Sequence, residues 1–483
     1  MYLLFNQEFE IILLVLFAIM ALSCSYMHLL FIRSLRLIPI IASSPKDHNQ
    51  FKNSSISRIK NKGYYTIVHR HSANLKDNNE GNLNPPEDKI PTHQIDINHR
   101  NTFRGEMPFV SIVVPARNEE KHIERCLTSL LSQDYPNFEV IAIDDNSTDR
   151  TLKIMNEIKN NEKNNLTNNQ AEKLKILHVK GKPGKWTGKT WASQQGYMES
   201  TGSFLLFTDA DTNYAKKDVI SSTICYMKKE NIDVLTGIST SEKPSNFWSK
   251  ITLPAWNLVS PLFGIHTGDV NNPKSKIAYL MGSFFLIKKE VFAKVGAFEQ
   301  VCNAIQEDKA LGVIIKRKGY RIRLVRLKEM VYTLWADDLI TLWHGIGRTL
   351  APLVMKNRLK VLTKLLVIVL SCILPFVMLP VTISSASAKL PFASPYDIPS
   401  FFEPYALFVN LACCSIILFE SSARCKASKV SPMYSLGTIV GSAFVIVASL
   451  YNIIPLLIFG STKPIIWQGR QYTYNKEQEG FTI

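Results

Sequence analysis

This chain of 483 residues has neither a cysteine-spacing motif nor an internal repeat. Eight cysteines are present, but no two form a Cys-x-x-Cys pair or have the spacing of a zinc site. The sequence therefore gives no sign of a disulfide framework or a zinc module. A reduced, cytosolic environment fits this cysteine usage.

Charged residues are missing from long apolar runs at the two ends of the chain. "IILLVLFAIMALSCSYMHLLFI", residues 11 to 32, has no Lys, Arg, Asp or Glu over a length that can cross a hydrocarbon core of about 30 Å. Arg33 and Arg36 follow this run and no small-residue cleavage site does, which argues against a signal peptide. We predict a retained transmembrane helix over residues 9–32 and transmembrane or membrane-embedded segments over 361–384, 402–421 and 433–460.

Basic residues accumulate beside these runs. The formal net charge is +16, and the clusters around residues 33–36, 356–364 and 424–429 fall on one side if the spans alternate. The positive-inside rule makes that side cytosolic and predicts an integral protein of the cell membrane with a cytosolic middle region. Anionic lipid headgroups, rather than nucleic acid, are the predicted partner of this charge.

Between the first and second apolar runs, the chain has a polar part and a patterned part. Residues 43–106 are rich in Asn, Lys, His and Asp and predict a mostly disordered linker. Residues 107–335 alternate short apolar strands with helical spacing, which predicts an α/β fold with a largely parallel sheet. Residues 336–360 are interpreted as an interfacial helical region, and 461–483 as a tail.

Carboxylates follow several of these strands. In "FLLFTDADTN", Asp209 and Asp211 are two residues apart and face the same way on extended chain, where they repel each other unless a cation lies between them. The alternative is a solvated turn after a buried strand. Ligands of parallel sheets bind beyond the carboxyl ends of the strands. The polar residues at these ends are Arg117, Glu119, Asp144, Asp145, Asp209 and Asp211.

Five motifs in order give a specific resemblance. "VSIVVPARNEE", "FEVIAIDDNSTDRT", "FTDADT", "GSFFLIKKEVFAKVGAFE" and "QEDKALGVIIKRKGYR" together resemble the family-2 glycosyltransferases of GT-A fold, over about residues 109–331. The resemblance implies a nucleotide-diphospho-sugar donor. It places Pro115, Arg117 and Glu119 in the opening nucleotide-binding loop, and Asp145, with Asp144 beside it, in contact with the nucleotide base.

The same resemblance assigns the reaction chemistry. Asp209 and Asp211 match the Asp-x-Asp element that holds a divalent metal, Mg²⁺ or Mn²⁺, and the donor diphosphate. Asp308 matches the catalytic base, with Glu307 beside it. A metal would stabilise the leaving diphosphate, and an inverting displacement needs a carboxylate to accept the acceptor's proton. The alternative for Glu307 and Asp308 is the ordinary preference of helix N-termini for acidic residues.

A basic segment and a tail resemble a membrane-bound subgroup that includes hopanoid-associated and carotenoid-pathway glycosyltransferases. In "GKPGKWTGKTWA", residues 181 to 192, Lys182, Lys185 and Lys189 are predicted to meet phosphate oxygens; the alternative is a basic surface loop with two core aromatic residues. "LWHGIGR" could place Arg348 or His344 near the diphosphate, or form an amphipathic interfacial helix. "WQGRQY", residues 467 to 472, resembles the subgroup's tail.

The tail raises a question of topology. Four full crossings would leave residues 461–483 on the face opposite the catalytic region. If Arg470 touches the active site, the tail is cytosolic, and one C-terminal segment is re-entrant or interfacial.

The sequence thus predicts a membrane-anchored inverting glycosyltransferase that moves one sugar, from a donor taken as UDP-linked, to a lipid acceptor at the cytosolic leaflet. One alternative is a processive polysaccharide synthase, although the chain lacks the Gln-x-x-Arg-Trp element of such enzymes. The other is a non-catalytic membrane scaffold that keeps the fold, for which so many converging carboxylates have no physical use.

Overall fold

The structure is a computed structural model. It describes residues 2–36, 38–41, 94–95, 107–162, 166–265, 267–333, 336, 338–387, 402–459, 465–467, 470–475 and 480–482. Most of the predicted linker 43–106 and part of the tail 461–483 lie outside the described residues. Two residues of that linker, Gln94–Ile95, are strand rather than irregular chain.

The described elements follow the predicted alternation of strand and helix across the middle region. The strands are β1 Ile40–Ile41, β2 Gln94–Ile95, β3 Val110–Ala116, β4 Phe138–Asp144, β5 Leu174–His178, β6 Phe204–Phe207, β7 Thr212–Tyr214, β8 Val234–Ser241, β9 Phe285–Lys288, β10 Ile322–Thr333, β11 Ile465–Trp467, β12 Arg470–Asn475 and β13 Gly480–Thr482. The α-helices are α1 Tyr2–Arg36, α2 Ile123–Leu131, α3 Thr151–Lys159, α4 Asn168–Glu172, α5 Gly188–Met198, α6 Val219–Lys229, α7 Phe247–Val259, α8 Lys289–Lys294, α9 Glu307–Arg317, α10 Leu339–Ile368, α11 Leu374–Ser387, α12 Phe402–Ala427 and α13 Thr438–Phe459.

One mixed, mostly parallel sheet organises the middle region. Its strand order is β2-β1-β10-β8-β9-β6-β3-β4-β5, and β7 pairs with β10. β9 runs antiparallel between β8 and β6, whereas β3 pairs in parallel with both β4 and β6. The predicted α/β fold is confirmed, with the antiparallel strands β7 and β9 as additions.

Burial explains why these segments form strands. β4 is buried at every position and β3 at every position except Pro115, as expected for strands covered on both faces. One apolar core joins the sheet to α2, α3 and α6, and a second joins its other face to α5, α8 and α9. Helices on both faces leave the carboxyl ends of the strands as the accessible edge.

A third apolar core holds the long helices. It contains side chains from α1, α7, α10, α12 and α13. Within the described part of the chain, four helical segments are long and apolar enough to cross a membrane: Ile12–Ser34, Asn357–Ser384, Tyr405–Ala427 and Pro432–Tyr451. Large apolar side chains on them are exposed, such as Leu22 at 69% and Phe408 at 72%, as expected for surfaces that face lipid.

The helix α10 joins the predicted interfacial region to the second span. It runs through both, but Asn357 has non-helical angles (φ −161°, ψ 89°), which divide it into two segments. The predicted interfacial region and the second candidate span are therefore one continuous element with a kink at Asn357.

The last long helix, α13, lies against α7 and the start of α10. Gly441 packs on α7 so closely that an added Cβ would lie 2.5 Å from the Cβ of Ala255. The Trp343 ring, near the start of α10, packs edge-on against Phe444 and Tyr451, with ring centroids 5.7 and 5.2 Å apart. After α13, β11 and β12 pair as an antiparallel hairpin, and β12 reaches the edge of the large sheet.

Candidate active site

The loops after β3 and β4 interlock at the carboxyl edge of the sheet. Asn118 and Asn146 take left-handed backbone conformations (φ 54° and 53°), which asparagine tolerates better than most residues. The Arg117 guanidinium donates to the carbonyls of Asp145 (2.6 Å) and Asn146 (2.7 Å). Arg117 thus ties the two loops together and fixes the backbone on which Asp145 sits.

Asp144 and Asp145 end β4 with different partners. Asp144 is fully buried, and its Oδ2 lies 2.8 Å from Nδ1 of His178 at the end of β5. Asp145 accepts two hydrogen bonds from the guanidinium of Arg470, one of them 3.0 Å long. The carboxylate that the resemblance places against the nucleotide base therefore lies against the C-terminal strand.

Lys189 bridges Asp209, from the Asp-x-Asp pair, and Glu307, at the start of α9. Lys189 Nζ lies 2.6 Å from Asp209 Oδ1 and 2.8 Å from Glu307 Oε1. Asp308 accepts hydrogen bonds from the backbone N–H groups of Gly282 (3.1 Å) and Lys309 (2.7 Å). Residues from the end of β6 and the starts of α5 and α9 thus form one cluster, although they are far apart in the sequence.

Burial and mutual repulsion perturb the acids of this cluster. The pKa of Asp211 rises to about 7, because of burial and then the neighbouring Asp209. Burial, then Asp211 and Asp209, raises the pKa of Glu119 to about 8. The pKa of Asp308 rises to about 6 through burial and then Glu307. Such perturbed groups gathered at a ligand-binding edge are typical of functional sites.

Lys189 is the cation that offsets this negative charge. Burial alone would lower the pKa of Lys189, but Asp209, Glu307 and Asp308 raise it above its ordinary value. The ammonium is therefore charged at neutral pH. It lies between the Asp-x-Asp pair and the candidate base, with its side chain 21% exposed.

The oxygen chemistry of the site fits a divalent cation. Among the described residues, Asp211 Oδ1 is buried and has no hydrogen-bond partner. Carboxylate oxygens are preferred ligands of Mg²⁺ and also suit Mn²⁺. No three His, Cys, Asp or Glu side chains of the described chain are arranged as a complete metal centre. Asp211, with Asp209 beside it, would hold the ion, which would also need ligands from outside these side chains.

The remaining predicted residues lie at different distances from the cluster. Pro115 is the second-last residue of β3 and pairs with Ile143 of β4. Lys185 is exposed, and Arg348 is half-buried on α10, the helix beside which β11 lies. Their roles in donor binding stay predictions. Trp186 is buried and packs edge-on against Trp191, with ring centroids 5.1 Å apart, so the aromatic pair helps to hold the loop.

Gly188, Gly282 and Tyr472 were not among the predicted site residues, and Arg470 was considered only as a condition for the position of the tail. An added Cβ at Gly282 would lie 3.0 Å from both Asp209 Oδ2 and Lys189 Nζ. At Gly188 it would overlap the guanidinium of Arg470 and the carboxylate of Asp145. Tyr472 accepts a hydrogen bond from the Gly188 N–H at 3.4 Å. The glycines of "WTGK" and "MGSF" were the available signals, since glycine permits such close approach.

Comparison with known proteins gives a family match over the middle of the chain. The family model described as "Glycosyl transferase family 2" matches residues 111–296. A probable glycosyltransferase, YdaM of Bacillus subtilis, is 29% identical over 220 residues, which are 45% of this chain and 49% of that protein.

Two further relatives have more specific names. Beta-monoglucosyldiacylglycerol synthase of a Nostoc species is 31% identical over 32% of this chain and 31% of its own length. The 4,4'-diaponeurosporenoate glycosyltransferase of Staphylococcus aureus is 25% identical over 46% and 53%. The chain thus spans between about a third and a half of the length of these curated relatives.

Solved structures of glycosyltransferases are also similar. The mannosyltransferase PcManGT from Pyrobaculum calidifontis, in complex with GDP-Man and Mn²⁺, is 16% identical, with a TM-score of 0.41 over 72% of this chain and 88% of that one. S. aureus TarS 1-349, in complex with UDP-GlcNAc, is 15% identical, with a TM-score of 0.34 over 78% and 99%.

Proposed function

Because residues 111–296 of this chain are a family-2 glycosyltransferase domain, we propose that the protein transfers a single sugar from a nucleoside-diphospho-sugar, taken as UDP-linked, to a lipid acceptor at the cytosolic membrane face. The observation that carries the proposal is the cluster of Asp209, Lys189, Glu307 and Asp308. It combines a place for an anionic leaving group with a carboxylate held ready to accept a proton.

In the proposed reaction, Asp308 is the general base. The acceptor hydroxyl oxygen forms a bond to the anomeric carbon, the bond from that carbon to the diphosphate oxygen breaks, and the hydroxyl proton passes to Asp308. The N–H groups of Gly282 and Lys309 orient the Asp308 carboxylate. Inversion follows from a single displacement, since the acceptor attacks opposite the leaving group.

The leaving diphosphate is stabilised on the other side of the cluster. Lys189 is a fixed positive charge beside Asp209. A bound divalent cation supplies Lewis-acid stabilisation of the developing charge, and Asp209 and Asp211 are the residues that would hold it. The lack of a side chain at Gly282 lets Asp209 and Lys189 approach the backbone there closely.

A lipid acceptor accounts for the position of the domain beside the long helices. Aromatic rings gather where α7 meets the turn before α13: Phe247 packs on Trp248 and Tyr434, with centroids 5.5 and 6.0 Å apart. Phe247 is 56% and Trp248 49% exposed. Exposed aromatic side chains of this kind are typical of a membrane interface. The name of the Nostoc relative, a diacylglycerol glycolipid synthase, supports the same acceptor class.

The first experiment is nucleoside diphosphate release by the full chain reconstituted in lipid. A panel of nucleotide-sugars would be tested with and without Mn²⁺ or Mg²⁺, and with and without added lipid extract. We expect metal-dependent release from one donor, and more release when acceptor lipid is present. Absence of release from every donor under all conditions would contradict the proposal and favour a non-catalytic role.

The tail contact also bears on orientation. Asp145 lies between the first and second candidate spans, and Arg470 follows the fourth. Four complete crossings would separate these two residues by the bilayer, yet they form an ion pair. The helix α13 packs on α7 and Trp343, which both precede the second span. We therefore assign α13 as re-entrant in the cytosolic leaflet.

This orientation predicts where a C-terminal tag is found. With three crossings, a tag fused after Ile483 lies on the cytosolic side together with the catalytic region. Protease or antibody access to sealed vesicles of both orientations measures this, with a tag placed before Tyr2 as the control expected on the opposite face. A C-terminal tag reached only from outside the cell would contradict the re-entrant assignment.

A further inference from the structure

The C-terminal strand β12 belongs to a separate sheet with β11 and β13, and its side chains contact the carboxyl edge of the large sheet. Arg470 and Asp145, which are 325 residues apart in the sequence, form a bidentate ion pair. Their side chains are 17% and 6% exposed. Tyr472 is 2% exposed, and its hydroxyl accepts the N–H of Gly188, the first residue of α5. Three contacts therefore join the tail to β4 and to the start of α5.

We propose that β12 is a permanent wall of the donor site, in which Arg470 is a positioning residue that holds and neutralises Asp145 while the nucleoside diphosphate binds. This inference rests on the proposed function, because it concerns the donor of that reaction. It adds to the site a segment that lies after the last membrane helix.

Charge balance is the first reason. The donor's diphosphate is anionic, yet Asp144, Asp145, Asp209 and Asp211 all lie at this edge of the sheet. Lys189 is shared between Asp209 and Glu307, so its single positive charge offsets only part of this negative charge. Arg470 compensates Asp145, to which its guanidinium donates two hydrogen bonds. Without Arg470, the unpaired charge of Asp145 would repel the donor.

Burial is the reason to expect that the tail stays in place while the donor binds. The alternative is a plug, a tail segment that occupies the donor site and leaves when the donor binds. Pulling the strand away would leave the buried Asp145 charge without its partner, which is strongly unfavourable. Gly188 shows that the protein accommodates this contact, because any Cβ there would overlap both Arg470 and Asp145. A plug would have to leave whenever the donor binds, whereas the observed contacts are those of a packed interior.

The test is equilibrium binding of UDP and of GDP, with Mn²⁺ in excess, to the full chain in nanodiscs. We expect Arg470→Ala to raise the dissociation constant of the nucleoside diphosphate at least tenfold. Arg470→Lys should give an intermediate value, because it keeps the charge and loses the two-pronged geometry. In turnover, the effect should appear in KM for the donor, with kcat at saturating donor changed less than threefold.

Gly184, in the segment before α5, and Gly188, the first residue of α5, form a matched pair of variants. Gly188→Ala should weaken nucleotide binding as Arg470→Ala does, because the added methyl displaces the tail. An added Cβ at Gly184 meets no atom within 4 Å, so Gly184→Ala should bind like the parent. Hydrogen exchange should rise in residues 470–475 of Gly188→Ala and stay at the parental level in Gly184→Ala.

The outcomes separate this inference from the proposed function. If the parent protein binds no nucleoside diphosphate, the proposed function fails, and the inference fails with it. If the parent and Arg470→Ala bind the nucleoside diphosphate equally well, the tail has no role in donor binding, and the inference alone is wrong. Tighter nucleotide binding by Arg470→Ala would show that the tail competes with the donor for the site, which would also contradict the inference.

Discussion

Asp211→Asn is expected to lower metal-dependent binding of the nucleoside diphosphate at least 100-fold, equivalent to about 2.8 kcal/mol. Asp211 has a buried, unpartnered Oδ1 among the described residues, and an amide there is a poor ligand for a hard cation. Binding is measured by titration with and without Mn²⁺. The fold should survive, because the amide has the shape of the carboxylate and removes its repulsion with Asp209.

The melting temperature of the metal-free protein gives a second readout for the same variant. Since Asp211 loses a charge that its surroundings disfavour, the variant should melt at the same temperature as the parent or higher at pH 8. Asp233→Asn is a control for which the opposite change in melting temperature is expected. It removes a carboxylate bonded to Lys288 Nζ (2.8 Å) and to the Arg321 N–H (2.9 Å), so it should lower stability and leave binding intact.

Metal-dependent binding of parental strength by Asp211→Asn would contradict the assignment of the metal to this residue. Loss of binding together with a lower melting temperature would point to a structural role for Asp211. The paired comparison with Asp233→Asn distinguishes the two.

The second large effect is expected from Asp308→Asn. Removing a positioned general base typically lowers the rate by 10²–10⁴-fold, and an amide cannot take the acceptor's proton. Donor binding should change by less than about threefold, because Asp308 contacts the N–H groups of Gly282 and Lys309 rather than Lys189. Sugar transfer and nucleotide binding measured on the same preparation separate the two effects. A variant that transfers sugar at the parental rate would exclude Asp308 as the base.

The pH profile of the parent gives an independent check on Asp308. Transfer requires the ionised carboxylate, whose pKa is about 6 because of burial and then Glu307. With metal and donor saturating, so that Asp211 stays ionised, the rate should therefore fall tenfold per pH unit below this value. Glu307→Gln removes a charge that raises this pKa, so its acid limb should move to lower pH. An acid limb that moves to higher pH in Glu307→Gln would contradict the coupling.

The sequence was informative where function depends on local chemistry. The apolar runs ending in Asp144 and "TDAD" predicted parallel strands with carboxylates at one edge, and α9 begins at Glu307 as its pattern indicates. These signals are local, because strand burial and helix-start charge are both contained in a few consecutive residues.

The details of the cluster depend on contacts that no local pattern contains. Lys189 was predicted to meet phosphate, and the fold places it between Asp209 and Glu307. β9 lies between β6 and β8 and runs antiparallel to both. Its short apolar sequence does not distinguish it from the strands of the sheet that pair in parallel. Similarly, apolar length alone could not reveal that α13 leads back to Asp145, since a re-entrant and a crossing helix have the same composition.

The pairing of Asp145 with Arg470 also sets an order in time. A ribosome adds about 5–20 residues per second, so the 325 residues between these two partners take roughly 15–65 s to synthesise. During that interval the sheet of the catalytic domain can form, but Asp145 lacks its partner Arg470. The ion pair forms only after α13 has been synthesised. Chains still being synthesised at that point therefore lack this part of the proposed donor site.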